Sequence, residues 1–250
     1  MKSPLSAKFL ALCAAVALTL PGCYIDLDDD DGISLGPSVR GSGTVITETR
    51  ITAAFTQIEL EGEAQVYLRQ GADQALAVEA DDNVVPIITT RVRDGRLEIG
   101  SADSYRSDNP VNIYVTVPEI RGLKIDGAGD IYGETSLAGE ELALEVRGSG
   151  DMDLDLYYPR LRAEGSGSGD FLLRGEVDEQ EVSLLGSGNY RADELASQTC
   201  DIRISGSGDA TVAVEEYLSA EIRGSGNIRY SGRPRVDTSV TGSGNVIGSR

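Results

Sequence analysis

The chain has 250 residues, with 41 acidic against 22 basic side chains, a formal net charge of −19, and neither His nor Trp. Such a charge repels nucleic acid and anionic membrane surfaces, while it suits basic partners or divalent cations. The lack of His removes the imidazole base that Ser and Cys nucleophiles ordinarily use.

The chain opens with Lys2 and Lys8, and Phe9 to Leu20 is then almost wholly apolar. That run is too short to cross a hydrocarbon layer of roughly 30 Å, so residues 1–22 read as a secretory signal. Leu20-Pro21-Gly22-Cys23 resembles the lipobox of bacterial lipoproteins, with Pro21 unusual at its place in that pattern. The resemblance implies acyl chains on Cys23, which hold a protein stably on a membrane, and Tyr24 in place of Asp after the cysteine implies the outer membrane. Cys13 leaves with the signal and Cys23 takes lipid, so Cys200 is the one free thiol of the mature chain and no disulfide is available. Without Lys2 and Lys8 the formal charge becomes 20 − 41 = −21.

Residues 23–40 carry Asp26, Asp28, Asp29, Asp30 and Asp31 beside Gly and Pro, and such a self-repelling stretch reads as a tether. Residues 41–250 form the body, with irregular strands over 41–126. Arg91 to Ile99 centres on Asp94-Gly95, which favours a tight hairpin turn. Pro86 limits any helix between Asp81 and Thr90 to a turn or two. Val111, Ile113, Val115 and Val117 alternate with polar residues between Pro110 and Pro118, the pattern of a strand.

From residue 127 the sequence repeats. A Gly-small-Gly-Asp/Asn motif occurs seven times at intervals of 21, 19, 19, 20, 18 and 18 residues. Its structural corner positions are Gly127, Gly129 and Asp130; Gly148, Gly150 and Asp151; Gly167, Gly169 and Asp170; Gly186, Gly188 and Asn189; Gly206, Gly208 and Asp209; Gly224, Gly226 and Asn227; and Gly242, Gly244 and Asn245. Two residues before each motif stand Ile125, Val146, Leu184, Ile204, Ile222 and Val240, with Gly165 the exception. Four before stand Leu123, Leu144, Ala163, Val182, Ile202, Ala220 and Thr238, and six before stand Leu142, Leu161, Cys200, Leu218 and Val236, a column broken by Arg121 and Gln180. Period-two columns ending in an obligatory turn mean a short strand and a corner in each repeat. No single repeat can bury its apolar face, so the repeats must stack, each adding roughly 4.8 Å along an axis. The fold class is therefore all-β: a single-domain parallel β-helix or solenoid of 18–21 residues per coil, right-handed by the crossover preference of parallel strands.

The paired glycines allow positive φ or close backbone approach at each corner. The residue between them is Ser in six copies and Ala128 in the first, so a hydroxyl is dispensable there. Asp and Asn exchange after the second glycine, which asks for a side-chain acceptor, bonded to backbone two residues on, more than for a charge. Calcium is the alternative: Asp130, Asp151 and Asp170 fall on consecutive coils, and Gly-x-Gly-x-Asp resembles half of a calcium-binding nonapeptide. No other cofactor is expected. Cys200 shares a column with Leu142 and Leu218 and reads as a core residue. Tyr157, Tyr158, Tyr190, Tyr217 and Tyr230 read first as packing at coil corners and second as a sparse sugar-binding strip.

The strand Val111 to Val117, the continuation Pro118 to Asp130 and the serial motif resemble the bacterial "putative auto-transporter adhesin, head GIN domain" family. Gly62-Glu63-Ala64-Gln65-Val66-Tyr67-Leu68 and Asp94 to Ile99 look like the opening of the same domain. The resemblance covers about residues 50 to 248 and implies one exported, often lipidated β-solenoid with an adhesin role, but no catalytic residue. The expectation is a lipid-anchored cell-envelope binding or adhesin-like module without catalysis, facing a protein or glycan ligand and no nucleic acid. The alternatives are a polysaccharide-acting enzyme using Asp/Glu pairs, and a purely structural envelope protein.

Overall fold

The computed structural model describes residues 38–249. The signal, Cys23 and most of the tether lie outside them. The N-terminal part contains β1 (Val39–Arg40), β2 (Val45–Thr49), β3 (Gln57–Gly62), β4 (Gln65–Gln70), β5 (Ala75–Asp81), β6 (Ile88–Arg93), β7 (Arg96–Ser101), β8 (Tyr105–Arg106) and β9 (Asn112–Val117). One turn of 3-10 helix, Val85–Ile87, precedes β6, with Pro86 inside its first turn. The repeat supplies β10 (Gly122–Gly127), β11 (Asp130–Gly133), β12 (Leu137–Ala138), β13 (Glu141–Gly148), β14 (Met152–Gly167), β15 (Phe171–Gly186), β16 (Tyr190–Gly206), β17 (Ala210–Gly224), β18 (Ile228–Ser231), β19 (Arg235–Gly242) and β20 (Val246–Gly248).

The protein is an all-β solenoid of stacked parallel coils. One row of strands runs into the corners: β7, β3, β10, β13, the C-terminal halves of β14 to β17, and β19. A second row leaves them: β9, β4, β11, the N-terminal halves of β14 to β17, then β18 and β20. The corner glycines are in register from coil to coil, with Gly127 opposite Gly148, Gly148 opposite Gly167 and Gly224 opposite Gly242.

The stretch 41–126 is more regular than its sequence. Gly62 pairs with Gly127 and Gln65 with Asp130, so Gly62-Glu63-Ala64-Gln65 is a further corner of the same stack, with Ala and Gln in place of the second Gly and the Asp. The strands do not stack in chain order. After β3 and β4 form one coil, β5 and β6 turn back, and β7 and β9 lie on its N-terminal side. Residues 118–121 then cross to the other side, where β10 takes the remaining edge of β3. The hairpin at Asp94-Gly95 joins β6 and β7, both residues at positive φ (49° and 75°), the combination that a tight primed turn requires.

Antiparallel strands close the N-terminal end: β5 on β9, β2 on β5 and β6 on β7. A buried carboxylate pins the entering chain. Asp81 accepts hydrogen bonds from Ser107 Oγ (2.6 Å) and Asn109 Nδ2 (2.7 Å). These bonds, Ser107 first, hold its carboxyl below the usual range against the opposing pull of burial, with a backbone bond from Gly43 adding to them. Gly41 passes so close that any Cβ there would collide with Asp81.

Inward residues of the two rows form one continuous core, including Ile58, Val66, Ile125, Leu154, Val182, Ile204 and Leu218. The exceptions in the columns have packing reasons. A Cβ on Gly165 would stand 3.1 Å from the Phe171 ring and 3.1 Å from Leu184, so this glycine makes room for the aromatic just past its own corner. Gln180 is buried because its Oε1 accepts a 2.7 Å hydrogen bond from the buried Tyr190 hydroxyl. Phe171 and Tyr190 themselves pack with ring centroids 5.9 Å apart. Arg121 faces out because it belongs to the crossover, where Ile120 fills the core and its carbonyl accepts from Tyr158 Oη at 3.1 Å.

Candidate functional site: corners and outer faces

From Gly62 to Gly224, the first carbonyl of each corner accepts two N–H groups of the next coil. The carbonyl of Gly148 accepts from the N–H of Ser168 (2.8 Å) and of Gly169 (3.2 Å) in the next coil, and the Gly167 carbonyl accepts likewise from Ser187 and Gly188. This geometry demands glycine. Gly167 has φ +132°, and a Cβ on it would overlap the Gly148 carbonyl oxygen, as a Cβ on Gly169 would overlap that of Gly150. The serines between them, such as Ser149 and Ser168, point outward and are exposed.

The Asp/Asn positions form a ladder. Asp130 Oδ1 accepts the N–H of Asp151 (2.9 Å), Asp151 Oδ1 that of Asp170 (2.7 Å), and Asp170 Oδ1 that of Asn189 (2.8 Å). Asn189 Oδ1 then accepts from the Asp209 N–H (3.1 Å) and Asp209 Oδ1 from the Asn227 N–H (2.7 Å). The acceptor therefore serves the equivalent residue one coil later, where local reasoning placed it two residues on. An oxygen is all that rung requires, which accounts for the exchange of Asp and Asn. Replacing Asp151 by Ala leaves the Asp170 N–H to water and is expected to cost about 1 kcal/mol, while Asp151→Asn stays within about 0.5 kcal/mol. Urea unfolding midpoints of the two variants measure the difference.

The same bonds bear on calcium. Asp130 Oδ2 accepts from Tyr132 Oη (3.0 Å) and Asp170 Oδ2 pairs with Arg191 (2.9 Å), so both carboxylates have each oxygen engaged. Among the described residues no group of three or more His, Cys, Asp or Glu is placed to hold a metal ion.

The outer faces carry features that the sequence reading missed. Tyr114, Tyr67 and Tyr132 stack along the axis with centroids 5.3 and 5.6 Å apart. The pairings Tyr67 with Tyr114 and Tyr132 with Tyr67 put them in one column, a signal visible only once Gly62 is recognised as a corner. Burial first, and the hydrogen bond to Asp130 second, push the Tyr132 phenol up to about 12. The central Tyr67 spends both ring faces on its neighbours, which leaves it no face for a sugar. Of the tyrosines singled out from sequence, Tyr158 and Tyr190 are core residues, while Tyr157 and Tyr217 are exposed on separate columns.

A shallow groove of about 450 Å³ runs across Glu141, Arg160, Glu179, Glu181, Asp201 and Tyr217. Its carboxylates alternate with arginines, Arg160 lying 4.0 Å from Glu141 and Arg162 3.6 Å from Glu181, and it holds one aromatic ring. Cys200 lies beneath it, 1 % exposed. Burial, with the charge of Asp201 as a smaller cause, pushes its thiol up to about 12. The thiolate is the reactive form, so iodoacetamide at pH 8 is expected to leave Cys200 unmodified in the native protein and to alkylate it in urea. Mass spectrometry reads the outcome, and native labelling would contradict the core assignment.

Among the described residues no helix is long and apolar enough to cross a membrane. No curated protein matches the sequence. Three solved structures share the coil stack. "A putative adhesin" of Bacteroides fragilis NCTC 9343 is 27 % identical with a TM-score of 0.81, over 85 % of this chain and all of that one. "Putative lipid binding protein" of Parabacteroides distasonis ATCC 8503 is 22 % identical with a TM-score of 0.72, over 86 % of this chain and all of that one. "A putative adhesin" of Parabacteroides merdae ATCC 43184 is 22 % identical with a TM-score of 0.70, over 85 % of this chain and 99 % of that one. The family model described as "Putative auto-transporter adhesin, head GIN domain" matches residues 54–234, a span that runs from the strand before the Gly62 corner to the start of the last coil, and the chain belongs to that family.

Proposed function

We propose that the protein is a lipid-anchored, non-enzymatic binding module of the cell envelope, of adhesin type. The observation that carries the reading is the placement of the entering chain. The Asp81 lock and the β1–β8 pairing hold it at the closed end, so a tether from Cys23 leaves the rest of the solenoid projecting away. Ten inter-strand steps separate β2 from β20, about 48 Å at about 4.8 Å per step. The lipobox-like Leu20 to Cys23 supports the anchor, family membership supports the envelope address, and the ion-paired groove supports binding over catalysis. In this reading the corner aspartates act as hydrogen-bond acceptors, and millimolar Ca²⁺ leaves the unfolding temperature unchanged.

The test has two parts. Cys23→Ser is expected to move the protein from the membrane to the soluble fraction. The purified protein, probed on arrays of glycans and envelope or matrix proteins, is expected to be retained by a discrete subset. Retention by none would favour a structural envelope protein, and cleavage of an arrayed polysaccharide would favour the enzyme.

A further inference from the structure

The two ends of the solenoid differ. At the N-terminal end antiparallel strands cover the core, whereas β19 pairs only with β17 and β20 only with β18, so among the described residues both present a free edge. Core-facing positions lose their cover with them. Val240 continues the column of Ile204 and Ile222, which are 1 % and 0 % exposed, yet is itself 44 % exposed. The acceptor ladder also stops unfilled. Asn245 donates to Asn227 Oδ1 at 3.3 Å, and among the described residues nothing donates to Asn245 Oδ1. Unpaired edges of this kind template the addition of another strand.

Charge selects the occupant. Residues 209–227 carry Asp209, Glu215, Glu216 and Glu221 against Arg223, in keeping with a chain of net charge −19. Residues 228–249 reverse the sign, with Arg229, Arg233 and Arg235 against Asp237. Arg229 leans toward Asp209 at 3.7 Å, while Arg233 and Arg235 are exposed and meet no carboxylate among the described residues. Head-to-tail stacking of a second copy would bring the exposed Arg91 and Arg93 of β6 over the row that holds Arg235, like charge on like.

We propose that the open C-terminal coil is an acceptor site for an extended acidic polypeptide segment of another protein. The segment adds as a strand along β19, sets apolar side chains over Val236 and Val240, and sets carboxylates against Arg233 and Arg235. This deepens the binding-module reading and rests on it, naming the surface and the chemistry of the partner.

The experiment uses the full-length protein in detergent and a fluorescent octapeptide of alternating Val and Glu, matched to the eight residues of β19. Fluorescence anisotropy is expected to show saturable binding, and the Val/Lys peptide none. Arg233→Glu/Arg235→Glu is expected to weaken binding by about tenfold or more at an unchanged unfolding temperature. N-methylation of alternate peptide nitrogens is expected to abolish it, which separates strand addition from charge attraction alone. Equal binding of the Val/Lys peptide, undiminished binding by the double variant or by the N-methylated peptide, or concentration-dependent dimerisation that buries the end would each overturn the proposal. Array retention without peptide binding would remove the end site and leave the broader reading standing.

Discussion

Gly167→Ala is expected to destabilise the protein by about 3 kcal/mol or more, the upper range for forcing atoms into a packed interior. Two independent costs coincide at this position. The φ of +132° is one that L side chains rarely adopt, and the added methyl overlaps a carbonyl oxygen of the coil before it, which cannot withdraw because it accepts two N–H groups. The neighbouring Ser168→Ala removes an exposed hydroxyl and is expected to stay within about 0.5 kcal/mol. Urea unfolding of both variants checks the contrast. A Gly167→Ala protein as stable as the parent would mean that the corner can relax, and that the glycine repeat has some other origin.

The second large effect is a coupling. Phe171→Ala empties a fully buried aromatic site and is expected to cost about 3–5 kcal/mol. Gly165→Val puts atoms where the Phe171 ring lies 3.1 Å from any Cβ, at a cost of about 1–3 kcal/mol. In the double variant the valine enters the space that the ring vacated, so the combined loss is expected to fall short of the sum by about 1–2 kcal/mol. A thermal double-mutant cycle reads that difference, and simple additivity would show that the glycine in the column is unrelated to the ring.

Both experiments probe features that were legible to different degrees. The corner could be read from spacing alone, because Gly127, Gly148 and their successors recur with columns of apolar residues attached. The partner of each Asp or Asn could not. A single sequence exposes contacts within a few residues, whereas Asp151 Oδ1 bonds the N–H of Asp170 a full coil away. The Gly62 corner escaped notice because Ala64 and Gln65 replace its two most diagnostic residues and because 65 residues separate it from Gly127. The tyrosine column was hidden for the same reason: Tyr114, Tyr67 and Tyr132 are ordered 67, 114, 132 in the chain but 114, 67, 132 in space. Column exceptions were the opposite case, since Gly165 and Gln180 were visible as breaks, and what they lacked was the identity of the aromatic each accommodates.

The crossing at residues 118–121 constrains how the molecule assembles. Both edges of β3 are taken, one by β7 and the other by β10, so the β3–β4 coil is walled in by segments that leave the ribosome after it. Once β10 lies on β3, the later coils extend the stack on that side alone, each against the one before it. Coils later in the chain are quanta added to a finished foundation. The domain is thus free to lengthen or shorten by whole turns at its far end over evolutionary time, while the strands from β3 to β10, interleaved out of chain order, offer no place to insert a whole turn.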